Sequence, residues 1–220
     1  QDADALIGGM NPPPIVNEFQ CFSDTLFALG NGDVGEGLVY YPVDDLIYHF
    51  SGATDGNEYF EEIYFPGKCV QPNHLAADTH GPNAAGQITG MVWDPTTEKF
   101  IAMDIDGNIY TVSTTGDYLQ ISAFDQAVSL SGFAVDGASV YGVNGTNLYE
   151  FNPLTGVTTT TTVLTSSGEA IVSATDIATD PLSGDTYIIY TTGASATSYI
   201  GTLDLATGMI TEQGDTFIDF

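Results

Sequence analysis

The amino-acid sequence predicts an all-β fold: a β-propeller-like array of about four four-stranded antiparallel blades, preceded by an extended N-terminal arm. One observation is a strand–turn–strand pattern that recurs along the chain, with Asp94, Asp136 and Asp180 in matching turns 42 and 44 residues apart. The other is that short strand-like runs separated by turn residues fill each interval, with no amphipathic helical period. A period in the forties with four strands per unit is typical of propeller blades.

The second unit shows the pattern most clearly. Residues 88–123 divide into four predicted strands, ITGMVWD, EKFIAMD, NIYTVST and DYLQISA, joined by the turns PTT, IDG and TG. The first two strands are apolar or small on both faces, which favours a fully buried position near the axis. The fourth strand is polar, which is typical of an outer edge. The third and fourth units repeat this order.

The sequence divides into an arm with a Pro-rich hinge, residues 1–24, and a propeller-like domain, residues 25–220. The predicted repeats lie near residues 33–86, 87–127, 128–170 and 171–220. The first repeat is longer because an additional loop lies inside it. Four blades make a small ring, so residues 25–32 either supply a strand that closes it or leave an array whose edges seek partners.

The arm joins a short apolar stretch to a stiff one. Its candidate assembly residues are Ala5, Leu6, Ile7, Pro12, Pro13 and Pro14. Consecutive prolines favour an extended conformation and cannot pair as a central strand. We expect the arm to reach a neighbouring subunit and add a strand to an open edge, which would give filaments because head-to-tail contacts do not close. The alternative is that the arm lies on its own domain or frays.

The corners between strands carry a recurrent motif. WDPTTEKF (93–100) and TDPLSGDTY (179–187) stand at one kind of corner, and NPLTG (152–156) and DLATG (204–208) at another. These corners resemble those of extracellular bacterial-type β-propeller repeat proteins, over roughly residues 33–220. The resemblance implies the structural class and no site, since such repeats host unrelated functions.

The charge balance excludes two classes of partner. The chain has two Lys and Arg against 29 Asp and Glu, for a net charge of −27. Binding to nucleic acid or to an anionic membrane depends on bases that meet phosphate, so we expect neither. No apolar run approaches the ~18 residues of a membrane span, so membrane insertion is not expected. High salt, acid or divalent cations would relieve the self-repulsion.

Two features concern the cellular compartment. The sequence begins QDADALIGG, without an initiator Met or a basic leader, which predicts an exported chain whose signal peptide has been removed, located outside the cell or on its surface. In such a compartment, Cys21 and Cys69 are predicted to form a disulfide worth about 3–4 kcal/mol. The alternative is a pair of buried thiols.

One candidate metal site follows the second strand of the second unit. Asp104, Asp106 and Asn108 alternate around Gly107 in MDIDGNIY, a spacing similar to the start of a calcium loop. The alternative is a plain Asp-Gly turn between two strands. Calcium is the cofactor that this loop suggests.

A second candidate metal site lies in the long loop of the first repeat. His74, Asp78 and His80 supply imidazole and carboxylate ligands suited to Zn²⁺ or Cu²⁺, with His49 as a possible further ligand. The alternative is a solvated loop. Separately, Asn144 begins an Asn-Gly-Thr triplet that fits a glycosylation acceptor, or a chance match.

The inventory of reactive side chains predicts a protein without catalytic activity. Three histidines, two cysteines expected to be paired and no Gly-x-Ser-x-Gly leave a nucleophilic triad incomplete. We therefore expect a secreted structural or adhesive protein that self-assembles through its arm. The alternative is an extracellular module that binds carbohydrate or calcium, with recurrent aromatics such as Trp93 either stacking on sugars or filling the core. A glycan-active enzyme with paired carboxylates is the third reading.

Overall fold

The computed structural model describes residues 35–51, 60–64, 71–74, 88–166, 171–193 and 197–219. Within these ranges the chain forms β-strands and turns and contains no helix. The described residues therefore include no helix that is long and apolar enough to cross a membrane. The predicted arm, Cys21, Cys69, Asp78 and His80 lie outside the described residues.

The strands form four consecutive sheets, which we call blades 1 to 4. Blade 1 consists of β1 (Gly35–Tyr41), β2 (Leu46–Ser51), β3 (Phe60–Tyr64) and β4 (Gln71–His74). Blade 2 consists of β5 (Ile88–Asp94), β6 (Lys99–Asp104), β7 (Asn108–Val112) and β8 (Tyr118–Ala123). Blade 3 consists of β9 (Ser131–Asp136), β10 (Ser139–Asn144), β11 (Asn147–Phe151) and β12 (Thr158–Val163). Blade 4 consists of β14 (Ile171–Thr179), β15 (Thr186–Thr192), β16 (Thr197–Asp204) and β17 (Met209–Asp219), with β13 (Thr165–Ser166) added in parallel to β17.

Each blade is an antiparallel meander whose strand order follows the chain. The first strands of successive blades contact one another in series, β1 with β5, β5 with β9 and β9 with β14, so these strands surround the axis. No contact of similar extent joins β14 to β1. The predicted all-β, propeller-like array of four-stranded antiparallel blades is therefore confirmed.

The turn between the first two strands of a blade is built by an aspartate. In blade 2, Asp94 accepts the backbone N–H of Thr96 at 2.8 Å and the hydroxyl of Thr97 at 2.7 Å. In blade 4, Asp180 accepts the backbone N–H of Leu182 at 2.8 Å, and a serine hydroxyl completes the same arrangement. A carboxylate that captures local backbone donors ends the strand and reverses the chain, which explains the Asp-Pro corners.

Apolar side chains fill the spaces between the blades. Between blades 1 and 2 the core is aromatic, with the Trp93 ring 4.3 Å from that of Tyr41 and 5.0 Å from that of Phe100. Second strands that lie between two neighbours are buried on both faces, as in the SVYGV stretch of β10, where four consecutive residues are buried. Burial of apolar area contributes about 25 cal/mol per Å², so the blades stabilise one another rather than folding as separate sheets.

Backbone hydrogen bonds join the end of blade 2 to blade 3 and the end of blade 3 to blade 4, and we call these bonds the inter-blade straps. After β8, the N–H of Asp125 donates to the carbonyl of Gly156 in blade 3 at 3.0 Å. After β12, the N–H of Thr165 donates to the carbonyl of Gly208 in blade 4 at 3.0 Å. Both glycines have φ of +70° and come from the repeated Thr-Gly turn. The turn motif therefore joins blades as well as strands.

Replacing a glycine of an inter-blade strap is expected to lower the free energy of unfolding by more than its left-handed backbone conformation alone explains. In Gly156→Ala the new Cβ would clash with the carbonyl oxygen of Ala123, whereas a Cβ at Gly184, which also has positive φ, meets nothing within 4 Å. We expect Gly184→Ala to lose about 1–2 kcal/mol from the left-handed conformation. Gly156→Ala should lose a further ~1–3 kcal/mol in urea unfolding, because the clash adds strain. Equal losses in the two variants would contradict the strap.

Candidate functional site

A cavity of about 1060 Å³ occupies the axis of the array, and we call it the axial cavity. The first strands of all four blades line it, and its wall continues onto β15 and β16 of blade 4. It therefore opens sideways between blade 4 and blade 1. The Asp-Pro corners at Pro95 and Pro181 stand at its rim.

The wall of the axial cavity combines apolar groups, hydroxyls and carboxylates. The apolar part includes Val39, Met91, Val92, Phe133, Val135 and Ile177. The hydroxyls belong to Thr89, Ser131, Ser173, Thr175, Thr179, Thr191 and Ser198. Asp176 and Asp180 contribute carboxylates, and the described lining contains no Lys, Arg or His. This chemistry suits a neutral or cationic ligand and disfavours an anion.

Asp176 is the carboxylate on the inner strand of blade 4. A β-bulge between Ala174 and Asp176 changes the direction of side chains in β14, and the carboxylate lies over Gly132 of blade 3. Gly132 has φ of +54°, and a Cβ there would clash with the Asp176 carboxylate and with the backbone of Ile177. Glycine at position 132 thus makes room for the carboxylate.

The surroundings of Asp176 disfavour its charge. The Asp176 side chain is exposed to the space inside the cavity, and the protein atoms around this space replace much of the bulk water. This desolvation raises the pKa of the carboxyl above its ordinary value, against the opposing effect of a hydrogen bond from the backbone N–H of Ile177. Asp176 is therefore a desolvated carboxyl group next to hydroxyls and apolar walls.

The rim of the cavity is acidic. The Tyr40 hydroxyl donates to Asp45 at 2.9 Å, and this hydrogen bond, with smaller effects from desolvation and from nearby carboxylates including Asp180, raises the pKa of Tyr40. Asp180 of blade 4 is close enough to Tyr40 of blade 1 for its charge to raise the pKa of the tyrosine, so the two blades approach each other at the rim. The pKa of Asp180 itself is lowered, first by the N–H of Leu182 and then by the hydroxyl of Ser183.

The outer face of blade 4, which points away from blade 3, has no described blade against it, and we call it the open flank. Cross-strand partners share a face, and the partners Ile189 and Ile200, and Tyr187 and Thr202, lie here with Thr191. Burial along β15 alternates, so that Ile188 and Tyr190 are fully buried against blade 3 while Tyr187 remains 36% exposed. The flank is thus a partly apolar sheet face continuous with the axial cavity.

The predicted calcium residues stand in a hydrogen-bonded turn. The buried carboxylate of Asp104 accepts the backbone N–H groups of Asp106 and Asn108, the Asn108 side-chain amide and the Tyr110 hydroxyl, all at 2.8–3.0 Å. Among the described residues no group of three His, Cys, Asp or Glu is placed to hold a metal. Calcium binding here stays a prediction, and these hydrogen bonds support the turn alternative.

The other predicted sites are only partly described. His74 ends β4, while its predicted partners Asp78 and His80 lie outside the described residues, so the structure does not bring that set together. The side-chain amide of Asn144 donates to the carbonyl of Ser129 at 2.7 Å, a bond that a glycan on that nitrogen would have to break. Both sites stay predictions.

The aromatics proposed for sugar stacking belong mainly to the core. Trp93, Tyr110, Tyr141 and Tyr149 are each at most 9% exposed. Sequence reasoning did not single out Asp176, although a signal was present: a charged residue in the middle of a predicted inner strand, SATDIATD, needs an explanation.

Comparison with solved structures supports the fold through two matches with TM-scores above 0.5. A glutaminyl cyclase from Myxococcus xanthus is 14% identical over 80% of this chain and 68% of its own, with a TM-score of 0.57. A chain of a nidogen–laminin complex is 18% identical over 80% of this chain and 63% of its own, with a TM-score of 0.53. The WD40 β-propeller domain of Doa1 is 11% identical over 84% of this chain and 57% of its own, with a TM-score of 0.47.

No family profile matches the sequence, and no curated protein sequence is similar to it. The chain spans less than two thirds of the nidogen–laminin chain and of the Doa1 domain. At such low identities the likeness shows the fold alone, although one of the similar proteins is by its name an enzyme. The chain has a β-propeller-like fold.

The two cavity aspartates are expected to affect stability in opposite directions. The raised pKa of Asp176 means that folded-state stability is lost as the pH rises through the range between the ordinary and the raised pKa. Asp176→Asn should therefore melt at a higher temperature than the unmodified chain near pH 7, and this gain should shrink toward about pH 3.

Asp180→Asn is the matched control, since it removes the same charge. The lowered pKa of Asp180 means that its contribution is present at neutral pH and is lost as the pH falls through the folded-state pKa. This variant should melt lower near neutral pH and converge with the unmodified chain in acid. Thermal melts across pH test both signs, and identical pH profiles for the two variants would contradict the assignment.

Asp104 provides a test of the calcium prediction. If its carboxylate serves the turn, Asp104→Asn should lose about 2 kcal/mol or more in urea, because charge-assisted hydrogen bonds in a buried turn are broken. Millimolar Ca²⁺ and Mg²⁺ should then raise the melting temperature equally, by screening. A rise specific to Ca²⁺ and absent from Asp104→Asn would instead support the calcium site.

Proposed function

We propose that this protein is an extracellular, non-catalytic structural protein that assembles head to tail, with the N-terminal arm of one copy docked on the open flank of the next. The observation that carries the proposal is the pattern of burial on β15. In the interior blades, the second strand is covered on both faces, whereas β15 is covered on one. Blade 4 therefore presents a face of the kind that elsewhere in this fold packs against a neighbouring blade.

The uncovered face is apolar at its centre. Ile189 and Ile200 are partners in the ladder between β15 and β16, and both are half-buried rather than fully covered. Tyr187 extends the apolar strip toward the Asp-Pro corner. An extended segment of the arm laid across this face would cover it with alternate side chains. The contact is between side chains, because β15 and β16 are already paired on both sides.

The length and composition of the arm support it as the occupant. At least 34 residues precede β1, a length that spans about 110–120 Å when extended and so reaches a neighbouring copy. Residues 5–17 carry no charged side chain, in a chain with a net charge of −27. Such a stretch enters an acidic groove without adding to the repulsion between copies.

The charge of the whole protein adds a condition on assembly. Copies that each carry a net charge of −27 repel one another at low ionic strength. Salt shortens the Debye length from about 30 Å at 0.01 M to about 8 Å at 0.15 M. Assembly should therefore strengthen with salt, as expected for contacts between apolar surfaces of like-charged subunits.

Deleting residues 1–14, which contain the candidate assembly residues and leave Cys21 in place, is expected to abolish assembly. The full chain should form filaments visible by negative-stain electron microscopy and fast-sedimenting species in moderate salt, and the truncated chain should sediment as a monomer. A truncated chain that still forms filaments would overturn the proposal. So would a full chain that is monomeric at every salt concentration, or a deletion that lowers the melting temperature of a monomer, since the arm would then pack on its own domain.

A pair of point variants locates the docking surface. Ile189→Asp adds a charge to the open flank, while Leu182→Asp adds the same charge to a turn side chain that is 85% exposed. We expect Ile189→Asp to prevent assembly and Leu182→Asp to leave it intact, with both variants folded by circular dichroism. Equal effects would show that added charge, rather than the flank, controls assembly.

A further inference from the structure

We propose that the axial cavity binds a small organic ammonium ion with an apolar body, and that the carboxylate of Asp176 is its counter-charge. This proposal does not depend on the assembly proposed above. The two surfaces are continuous through Ile189 and Thr191, but Asp176 lies against Gly132 at the axis. They also differ in chemistry, because this site depends on charge pairing rather than on apolar contact.

The first support is an uncompensated charge. Asp176 accepts the backbone N–H of Ile177, whereas Asp94 and Asp104 each accept several protein donors. An ionised carboxylate can accept about four hydrogen bonds, so oxygen lone pairs remain directed at the cavity. Since the described lining offers no base, the partner that this carboxylate lacks is a cation supplied from solution.

The second support is the set of hydroxyls beside the carboxylate. Ser131 precedes Gly132 on β9, and Thr175 precedes Asp176 on β14, and both line the cavity. An ammonium group has three N–H donors. A carboxylate and two hydroxyl oxygens in the wall of one cavity supply three acceptors for these donors.

The third support is the size and the apolar character of the remaining wall. The cavity volume of about 1060 Å³ stands at the upper end of the range of about 300–1,000 Å³ for small-molecule sites. Leu38, Val39 and Val135 line the cavity and are at least partly exposed, so they offer apolar surface to a ligand. These side chains accommodate a hydrocarbon body once its charged end is paired.

Other ligand classes fit this wall less well. An anion would meet two carboxylates and no described base. A sugar usually stacks on an exposed aromatic ring, and Trp93 is 8% exposed and packed against Tyr41. Calcium takes six to eight oxygen ligands, and no group of three acidic, His or Cys side chains is gathered for a metal among the described residues.

Hexylammonium is a suitable probe, with 1-hexanol and hexanoate as analogues that differ in charge. Trp93, the one Trp of the chain, lines the cavity, so its fluorescence reports occupancy without any assay of activity. We expect a saturable change with hexylammonium near pH 7 in about 0.5 M NaCl, where attraction to the general surface charge is screened. Hexanol should bind at least about tenfold more weakly, and hexanoate should not bind.

Two variants of the full chain test the counter-charge. Asp176→Asn should weaken hexylammonium binding about tenfold or more, while Asp117→Asn, which removes the same charge from an exposed turn outside the cavity lining, should change it less than about twofold. Calorimetric titration confirms that the fluorescence change reflects binding. The proposal is overturned if hexanol binds as well as the amine, if Asp176→Asn binds unchanged, if both variants lose binding equally, or if no saturation occurs by millimolar concentration. Loss of filaments on deleting the arm leaves these outcomes unaffected, so the two proposals fail separately.

Discussion

The fold depends on the mutual covering of blade faces. A four-stranded antiparallel sheet has two faces, and the second strands of blades 2 and 3 are buried on both, so both faces of each blade need a neighbour at these strands. The three apolar clusters lie between consecutive blades, and each takes side chains from both. The apolar interfaces between consecutive blades are therefore the main source of the stability of the fold. Blade 4, at one end of the series, is the place where the described structure leaves one face uncovered, and the proposed assembly concerns this face.

Much of this fold could be predicted from local sequence. The stretch ITGMVWD at 88–94 matches β5 from its first to its last residue, because the turn after it is set by Asp94 and its neighbours. The Thr-Gly turns could also be predicted, because a tight turn of this kind usually contains a glycine with positive φ. Each of these features depends on residues close together in the chain, so an isolated sequence contains the information.

The candidate site could not be predicted in the same way. Asp176 enters the cavity through a bulge in β14 and a close approach to Gly132, and both depend on how two blades meet. The open flank is hidden from sequence for a related reason. TYIIYTT is apolar on both faces and predicts a strand covered on both sides, whereas the structure covers the side of Ile188 and leaves that of Tyr187 partly exposed. Whether an array closes is decided by angles between sheets that no local pattern records.

A chain with two bases and 29 acids must stabilise its carboxylates by means other than ion pairs. The described turns show how this is done: backbone N–H groups and hydroxyls are the donors to Asp94, Asp180 and Asp204. This arrangement needs no lysine, and it also forms the turn between two strands. The same hydrogen bonds therefore account for both the acidic side chains at these corners and the repeated turn. This arrangement works where a carboxylate stands at a turn, because unpaired N–H groups converge there. Asp176 stands at a bulge within a strand and accepts one backbone N–H, that of Ile177, so we infer that its remaining lone pairs are available to a ligand.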